Sequence, residues 1–322
     1  MSSANQIYRR WQWIAVLILP LSIFAQSPAG EVQERIRKVE NSLSPDVVYG
    51  DTIPLANLLQ RMKTTNTKGL SIAVINNYQI EWAKGYGWAD EGEERKVTTN
   101  TRFQAASISK SLNSLGILKL VEEGKLDPAA DINNYLRTWK FPYDSVSKNK
   151  KINTYQLLSH TAGLGIHGFP GYQADTILPS LSEILDGKQP ANTKAVRSVF
   201  EPGVKYQYSG GGTIISQMLL MDITGRDYAE YMQAEVLTPL GMSNSFYRRP
   251  SPTDKELATG YYRTGKPVST KYHVYPEQAA ASLWTTPTDL ANYIIECQLA
   301  YEGKSNKVLS PALMKTRMRP FF

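Results

Sequence analysis

Apolar and polar positions alternate with a period of two in GLSIAVINNYQIEWAKGYG, residues 69–87. Leu70, Ile72 and Val74 share one face of a first strand, and Tyr78, Ile80 and Trp82 share one face of a second. Asn76 and Asn77 between them tolerate positive φ, so the stretch predicts a tight hairpin. From residue 108 the period becomes helical. Ile108, Leu112, Leu115, Leu118 and Val121 recur at spacings of three or four, and Gly124 is placed to end the helix. Ser107, Lys110, Ser111 and Ser114 form a second stripe, polar but mostly small. Shorter helical patterns follow in NTYQLLSH, LPSLSEIL, TIISQMLLMDITG and DYAEYMQAEVL, the last capped by Asp227. TTPTDLANYIIECQLAYEG reads as a helix with Thr286 as N-cap, Pro287 in the first turn and Gly303 after the last. The chain shows no internal repeat and no low-complexity segment. The pattern predicts an α/β protein but supplies only two strong strands, and a lone hairpin is marginal in water.

The first thirty residues depart from this pattern. Arg9 and Arg10 precede WQWIAVLILPLSIFA, an uncharged run of about 15 residues, short of the ~20 that span a bilayer. A basic start, a short apolar run with Pro20, and Ala25 before QSPAG read as a secretory signal peptide over residues 1–25. Residues 26–322 are then a single exported domain, periplasmic or extracellular. The rival reading is an uncleaved anchor, which would tie the protein to a membrane through residues 11–25. The chain has 322 residues, 42% hydrophobic and 20% charged, as a packed globular core requires. Its formal charge is +7, but the basic residues are scattered. The densest cluster, KNKK at 148–151, reads as a solvated turn, which argues against a nucleic-acid partner. The single cysteine, Cys297, has no internal disulfide partner and reads as a buried thiol.

Two stretches carry candidate chemistry. In FQAASISKSL, residues 103–112, Ser107 and Lys110 lie one helical turn apart on one face. A serine at a helix N-terminus stands in the positive end of the dipole, and a desolvated lysine one turn on can relay a proton. The same residues also read as an N-cap followed by a solvated lysine, because Ser-x-x-Lys alone is a weak motif. In EPGVKYQYSGGGTII, residues 201–215, Tyr206 and Tyr208 alternate before a flexible glycine run that opens a helix. A tyrosine beside an ammonium can serve as a general base, and two core aromatics would give the same pattern. Other chemistries lack their anchors. There is no G-x-S-x-G elbow, no H-E-x-x-H and no phosphate-binding glycine loop. His160, His167 and His273 are not paired at metal-ligand spacing, so no metal or cofactor is implied. His160, in LLSHTAGL, reads as a structural hydrogen-bonding residue.

Further blocks accompany SISK in order: VTTNTRFQAASISKS, KLVEEGKLDPAADINNYL, QLLSHTAGL, FEPGVKYQYSGGG, TPLGM and ASLWTTPTDLANYI. With these the chain resembles the serine β-lactamase and penicillin-binding-protein superfamily, in its branch of class C β-lactamases, DD-peptidases and related esterases. The resemblance runs from residue 50 to the end. It implies an antiparallel sheet flanked by helices, a mostly helical subdomain, and an active site between them. It also implies Ser107 as the acyl-enzyme nucleophile, Lys110 as proton relay, and Tyr208 as base and later acid. Gly210 stands where the branch commonly has an asparagine that contacts the substrate amide, so it is the substrate-binding position that departs from the pattern. The family's third box, Lys/His-x-Gly on a sheet strand, follows the segment matching LSPALMKTRM and is not reached by Phe322. The resemblance therefore implies a chain incomplete at its C-terminus and inactive as it stands. The expected activity is that of an exported serine hydrolase acting on a β-lactam, a D-amino-acid peptide or an ester. The alternative is a non-catalytic penicillin-binding or sensor protein, or a pseudoenzyme, a reading that Gly210 supports.

Overall fold

A computed structural model describes residues 28–45 and 47–320. The signal peptide or anchor expected over residues 1–25 lies outside the described residues. The expected hairpin forms, with its turn displaced by one residue. β1 (Gly69–Asn76) pairs antiparallel with β2 (Gln79–Asp90), and Asn77 and Tyr78 make the connection at φ 50° and 60°. Tyr78 is thus a turn residue rather than the start of the second strand. β3 (Arg95–Lys96) adds to the far side of β2. Among the described residues no strand pairs with the outer edge of β1. Two helices precede the sheet, α1 (Pro28–Asn41) and α2 (Leu58–Thr64). Leu58 and Met62 of α2 pack on Tyr86, and Glu40 of α1 accepts hydrogen bonds from Lys84 Nζ (2.7 Å) and the Tyr86 hydroxyl (2.9 Å).

The chain then leaves the sheet through β4 (Phe103–Gln104) and enters α3 (Ile108–Glu122). Gly124, at φ 68°, follows its end as the sequence predicts. Ile108, the first of the apolar series, is exposed, whereas Leu112, Leu115, Leu118 and Leu120 are buried. The remaining elements are α4 (Thr154–Leu158), β5 (Tyr172–Gln173), α5 (Leu181–Asp186), α6 (Gly210–Thr224), α7 (Tyr228–Met232), β6 (His273–Val274), α8 (Gln278–Ala281), β7 (Trp284–Thr285), α9 (Pro287–Tyr301) and α10 (Pro311–Met318). β4 pairs with β7, and β5 with β6. These strands are two residues long, too short to leave a period-two signature. That is why the sequence shows only the hairpin.

Two core clusters divide the helices. One joins α3 to α7, α9 and α10 through residues such as Leu115, Tyr228, Met232, Tyr293 and Met314. The other gathers Leu157 of α4, Ile184 of α5 and Ile214 and Met218 of α6 into a mostly helical subdomain. A buried polar bridge spans the two. Asn113 Nδ2 donates to Ser216 Oγ at 2.9 Å, and the Tyr228 hydroxyl donates to Asn113 Oδ1 at 3.1 Å. In a dry core these bonds are costly to break singly, so they fix α3 against α6. No described helix is long and apolar enough to cross a membrane.

The glycine run that reads as flexible is instead a packed first turn of α6. A Cβ on Gly211 would lie 2.8 Å from Val196 Cγ1 and 2.9 Å from the Gly165 carbonyl oxygen. Backbone at that distance cannot yield cheaply, so only glycine fits. Gly211→Ala should therefore lower stability by roughly 1–3 kcal/mol through overpacking, although alanine is the better helix former by about 1 kcal/mol. Urea unfolding measures this, and an unchanged or raised midpoint would contradict the close packing.

Candidate active site

Ser107 occupies the N-cap position of α3, but its side chain caps nothing. Its hydroxyl is exposed and receives a hydrogen bond from Lys110 Nζ at 3.0 Å. The same ammonium donates to the carbonyl of Ala280 in α8 at 2.8 Å. The Tyr208 ring lies alongside, its centroid 5.1 Å from Lys110 Nζ, close enough for cation–π attraction. The structure therefore brings Ser107, Lys110 and Tyr208 together. Tyr206 is 60% exposed and packs edge-on against the His160 ring, 6.0 Å between centroids.

The backbone around Ser107 is held from several sides. Ala106, just before it, has φ 42°, a conformation that costs a non-glycine residue on the order of 1 kcal/mol and needs support. That support comes from β7 and its flank. Gln104 pairs with Trp284, and Ala105 N–H donates to Leu283 O at 2.8 Å. Leu283 N–H donates in return to Ser109 Oγ at 3.0 Å, and the Tyr247 hydroxyl donates to Ser109 O at 2.9 Å. The serine stripe has a specific cover. Arg317 of α10 donates through Nε to Ser114 Oγ and through Nη2 to Ser111 O, both at 2.8 Å. Ser111 and Ser114 are thus partly covered by a guanidinium, beside which an acid on their face is not needed.

Tyr208 lies between two residues whose backbone N–H groups are bonded to His160. Gln207 N–H donates to His160 O at 2.8 Å, and Ser209 N–H donates to His160 Nδ1 at 3.2 Å. The His160 ring centroid is 4.5 Å from that of Tyr208, and His167 is 4.8 Å away. Burial, with the Lys110 charge and His167 adding to it, pushes the His160 pKa down to about 4. Gly210 is buried, and its N–H donates to His167 O at 3.1 Å. A Cβ there would point at Phe169 Cε2 (2.9 Å) and His167 O (3.0 Å). The position therefore offers no side chain, and the direction a side chain would take is already filled by the 167–169 loop.

The sequence reading missed Ala280 and Glu277, and it gave His160 no link to Tyr208. Glu277 immediately precedes α8 and is fully buried, and neither carboxyl oxygen has a hydrogen bond of good geometry. Burial drives its pKa up to about 7, and its own backbone N–H and the Tyr172 hydroxyl offset only part of that. No signal along the chain marks it, because its environment is made by elements far apart in sequence. Among the described residues no cluster of His, Cys, Asp and Glu is arranged to hold a metal ion.

The raised carboxyl pKa fixes a sign. The folded state keeps the Glu277 proton that the unfolded chain loses near 4.5, so this contribution to stability is present below 4.5 and lost as pH rises towards about 7. Glu277→Gln keeps the shape and removes the titration. Its stability relative to wild type should rise by roughly 1–3 kcal/mol between pH 5 and pH 8. Urea melts of both proteins at the two pH values measure it, and a gap independent of pH would contradict the buried neutral acid.

Comparison with known proteins bears on the family and the fold. Residues 55–321 match the family described as beta-lactamase. Protein flp of Staphylococcus aureus strain N315 is 27% identical over 226 residues, 68% of this chain and 42% of the relative. The chain thus spans less than half the length of that relative. Teichoic acid D-alanine hydrolase of Staphylococcus aureus is 25% identical over 274 residues, 83% of this chain and 63% of the relative. Among solved structures, the octameric penicillin-binding protein homologue of Pyrococcus abyssi superposes with a TM-score of 0.64 at 25% identity, covering 80% of this chain and 57% of that one. FmtA of Staphylococcus aureus superposes with a TM-score of 0.62 at 22% identity, covering 88% and 75%, and shares the fold.

Proposed function

The chain belongs to the beta-lactamase family, and from that premise we propose that it is an exported serine hydrolase working through an acyl-enzyme on Ser107. The observation that carries this reading is the Lys110 ammonium, which donates to Ser107 Oγ at 3.0 Å while lying 5.1 Å from the Tyr208 ring centroid. In the reaction proposed, Ser107 Oγ attacks a substrate carbonyl. Its proton passes to Tyr208 acting as its phenolate, directly or with the Lys110 ammonium handing one proton on as it takes the other, and from the phenol to the leaving group. Water then attacks the acyl ester with the same groups acting in reverse. Ser107's own N–H is one donor for the oxyanion, and the N-terminal end of the α3 dipole adds to it. Export is inferred from the leader-like residues 1–25.

The substrate classes compatible with this site are β-lactams, D-amino-acid peptides and esters. Gly210 favours the ester. It supplies no side-chain amide to bond a substrate amide, and Phe169 and His167 O occupy the space in which one would start. Because a similar protein is named teichoic acid D-alanine hydrolase, D-alanyl esters are the first natural class to try.

Steady-state hydrolysis of p-nitrophenyl acetate and nitrocefin by the full-length protein tests the reading. Wild type should turn over the ester faster than the β-lactam. Lys110→Ala and Tyr208→Phe should each lower ester turnover by about 10²-fold or more, the usual scale for losing acid–base help. Tyr206→Phe should stay near wild type. Equal losses for the two tyrosines would contradict the role given to Tyr208. A protein that is labelled once and never turns over would favour the penicillin-binding or sensor reading.

A further inference from the structure

His160 grips the segment around Tyr208 in three ways. Its carbonyl binds the N–H of the residue before Tyr208, its Nδ1 binds the N–H of the residue after, and its ring packs on Tyr208 itself at 4.5 Å between centroids. We propose that His160 is the positioning residue for Tyr208, fixing both the backbone and the ring of the tyrosine beside Lys110. This role rests on the serine-hydrolase reading and deepens it.

The geometry requires one form of the imidazole. Nδ1 accepts from Ser209 N–H, so it carries no proton, and in the neutral ring the proton resides on Nε2. Protonating Nδ1 would set one donor against another and add a cation facing Lys110. Burial, the Lys110 charge and His167 all oppose that protonation, and they keep the ring neutral well below neutral pH. The backbone adds a further demand. His160 has φ 60°, in the left-handed region, which most residues enter at a cost and asparagine enters readily. The left-handed turn is what lets one residue present its carbonyl and its Nδ1 to positions 207 and 209 together. His167 supplies a second ring contact to Tyr208 at 4.8 Å. Its carbonyl binds Gly210 N–H, so the 160–167 segment lines up along 207–210.

A proton-transferring phenol that drifts by about 1 Å loses on the order of 10² in rate. His160 should therefore show its effect in chemistry through Tyr208 rather than in folding alone. Two substitutions separate these. His160→Ala removes the acceptor and the ring. His160→Asn tolerates the left-handed backbone and returns an acceptor near the Nδ1 position, but not the ring.

The test is the rate at which a fluorophosphonate probe labels Ser107, measured with kcat and KM for p-nitrophenyl acetate. His160→Ala should lower labelling and kcat by about 10²-fold, with His160→Asn intermediate and KM little changed in both. In a Tyr208→Phe background, His160→Asn should cost nothing further, because the residue it positions has already lost its function. If His160→Asn lowers the rate by the same factor in both backgrounds, or leaves the wild-type rate intact, the positioning role is overturned. Should His160→Ala fail to fold, His160→Asn, which suits the left-handed backbone, decides the matter once its thermal melt shows a cooperative transition. A wild-type protein that the probe does not label at Ser107 overturns the serine-hydrolase reading, and the role of His160 with it. Labelled wild type with additive losses overturns the positioning role alone.

Discussion

The Lys110 ammonium is the constraint on which the site depends. A cation partly withdrawn from water must be met by acceptors, and here these are the Ala280 carbonyl and Ser107 Oγ. Each acceptor imposes a condition on the fold. For Ala280 O to face α3, α8 has to be held against α6. Gln217 of α6 does this by donating to Pro276 O at 3.2 Å and accepting from Ala279 N–H at 2.9 Å. For Ser107 Oγ to face the lysine, the strained step at Ala106 has to be clamped, and the β4–β7 ribbon with Ser109 and Leu283 does that. The two core clusters and the Asn113–Ser216–Tyr228 bridge then fix α3 and α6 relative to each other. The site lies at the N-termini of both helices, where exposed polar groups are tolerated and helix dipoles favour negative charge.

The second wall of the site depends on the absence of side chains. Gly210 and Gly211 let α6 begin flush against the 165–169 segment, and three consecutive carbonyls of that segment meet α6. Gly165 O accepts from Ser209 Oγ, Ile166 O from Gly211 N–H and His167 O from Gly210 N–H. This zipper sets the position of Tyr208, two residues before Gly210. One feature thereby serves both packing and chemistry. Close approach requires glycine, and glycine leaves a substrate amide without a side-chain partner.

How much of this is legible in the sequence differs by element. The β1–β2 hairpin, α3 and α9 follow from periodic runs bounded by turn or capping residues, and α6 and α7 from shorter helical patterns. Thr286 accepts from Asp289 N–H and Asp227 from Glu230 N–H, as their positions suggest. The two-residue strands carry no period and are invisible. Ser107 and Lys110 show themselves as a pair one turn apart, but Tyr208 joins them only through the resemblance of several ordered blocks, since nothing local distinguishes it from Tyr206. The contributions of His160, Ala280 and Glu277 come from contacts dozens or hundreds of residues apart. A backbone carbonyl such as that of Ala280 leaves no residue-type signal at all. The glycine run was legible as glycine but not as to its reason, because close packing and flexibility look the same in one dimension.

The central claim is that Ser107 is the nucleophile of a site assembled by Lys110. The most direct measurement is intact-mass analysis followed by peptide mapping after exposure to a fluorophosphonate, on wild type and on Ser107→Ala. The account predicts a single adduct on the peptide carrying Ser107 in the wild type and none in the variant. An adduct on another residue, or equal labelling of the Ser107→Ala protein, would contradict it.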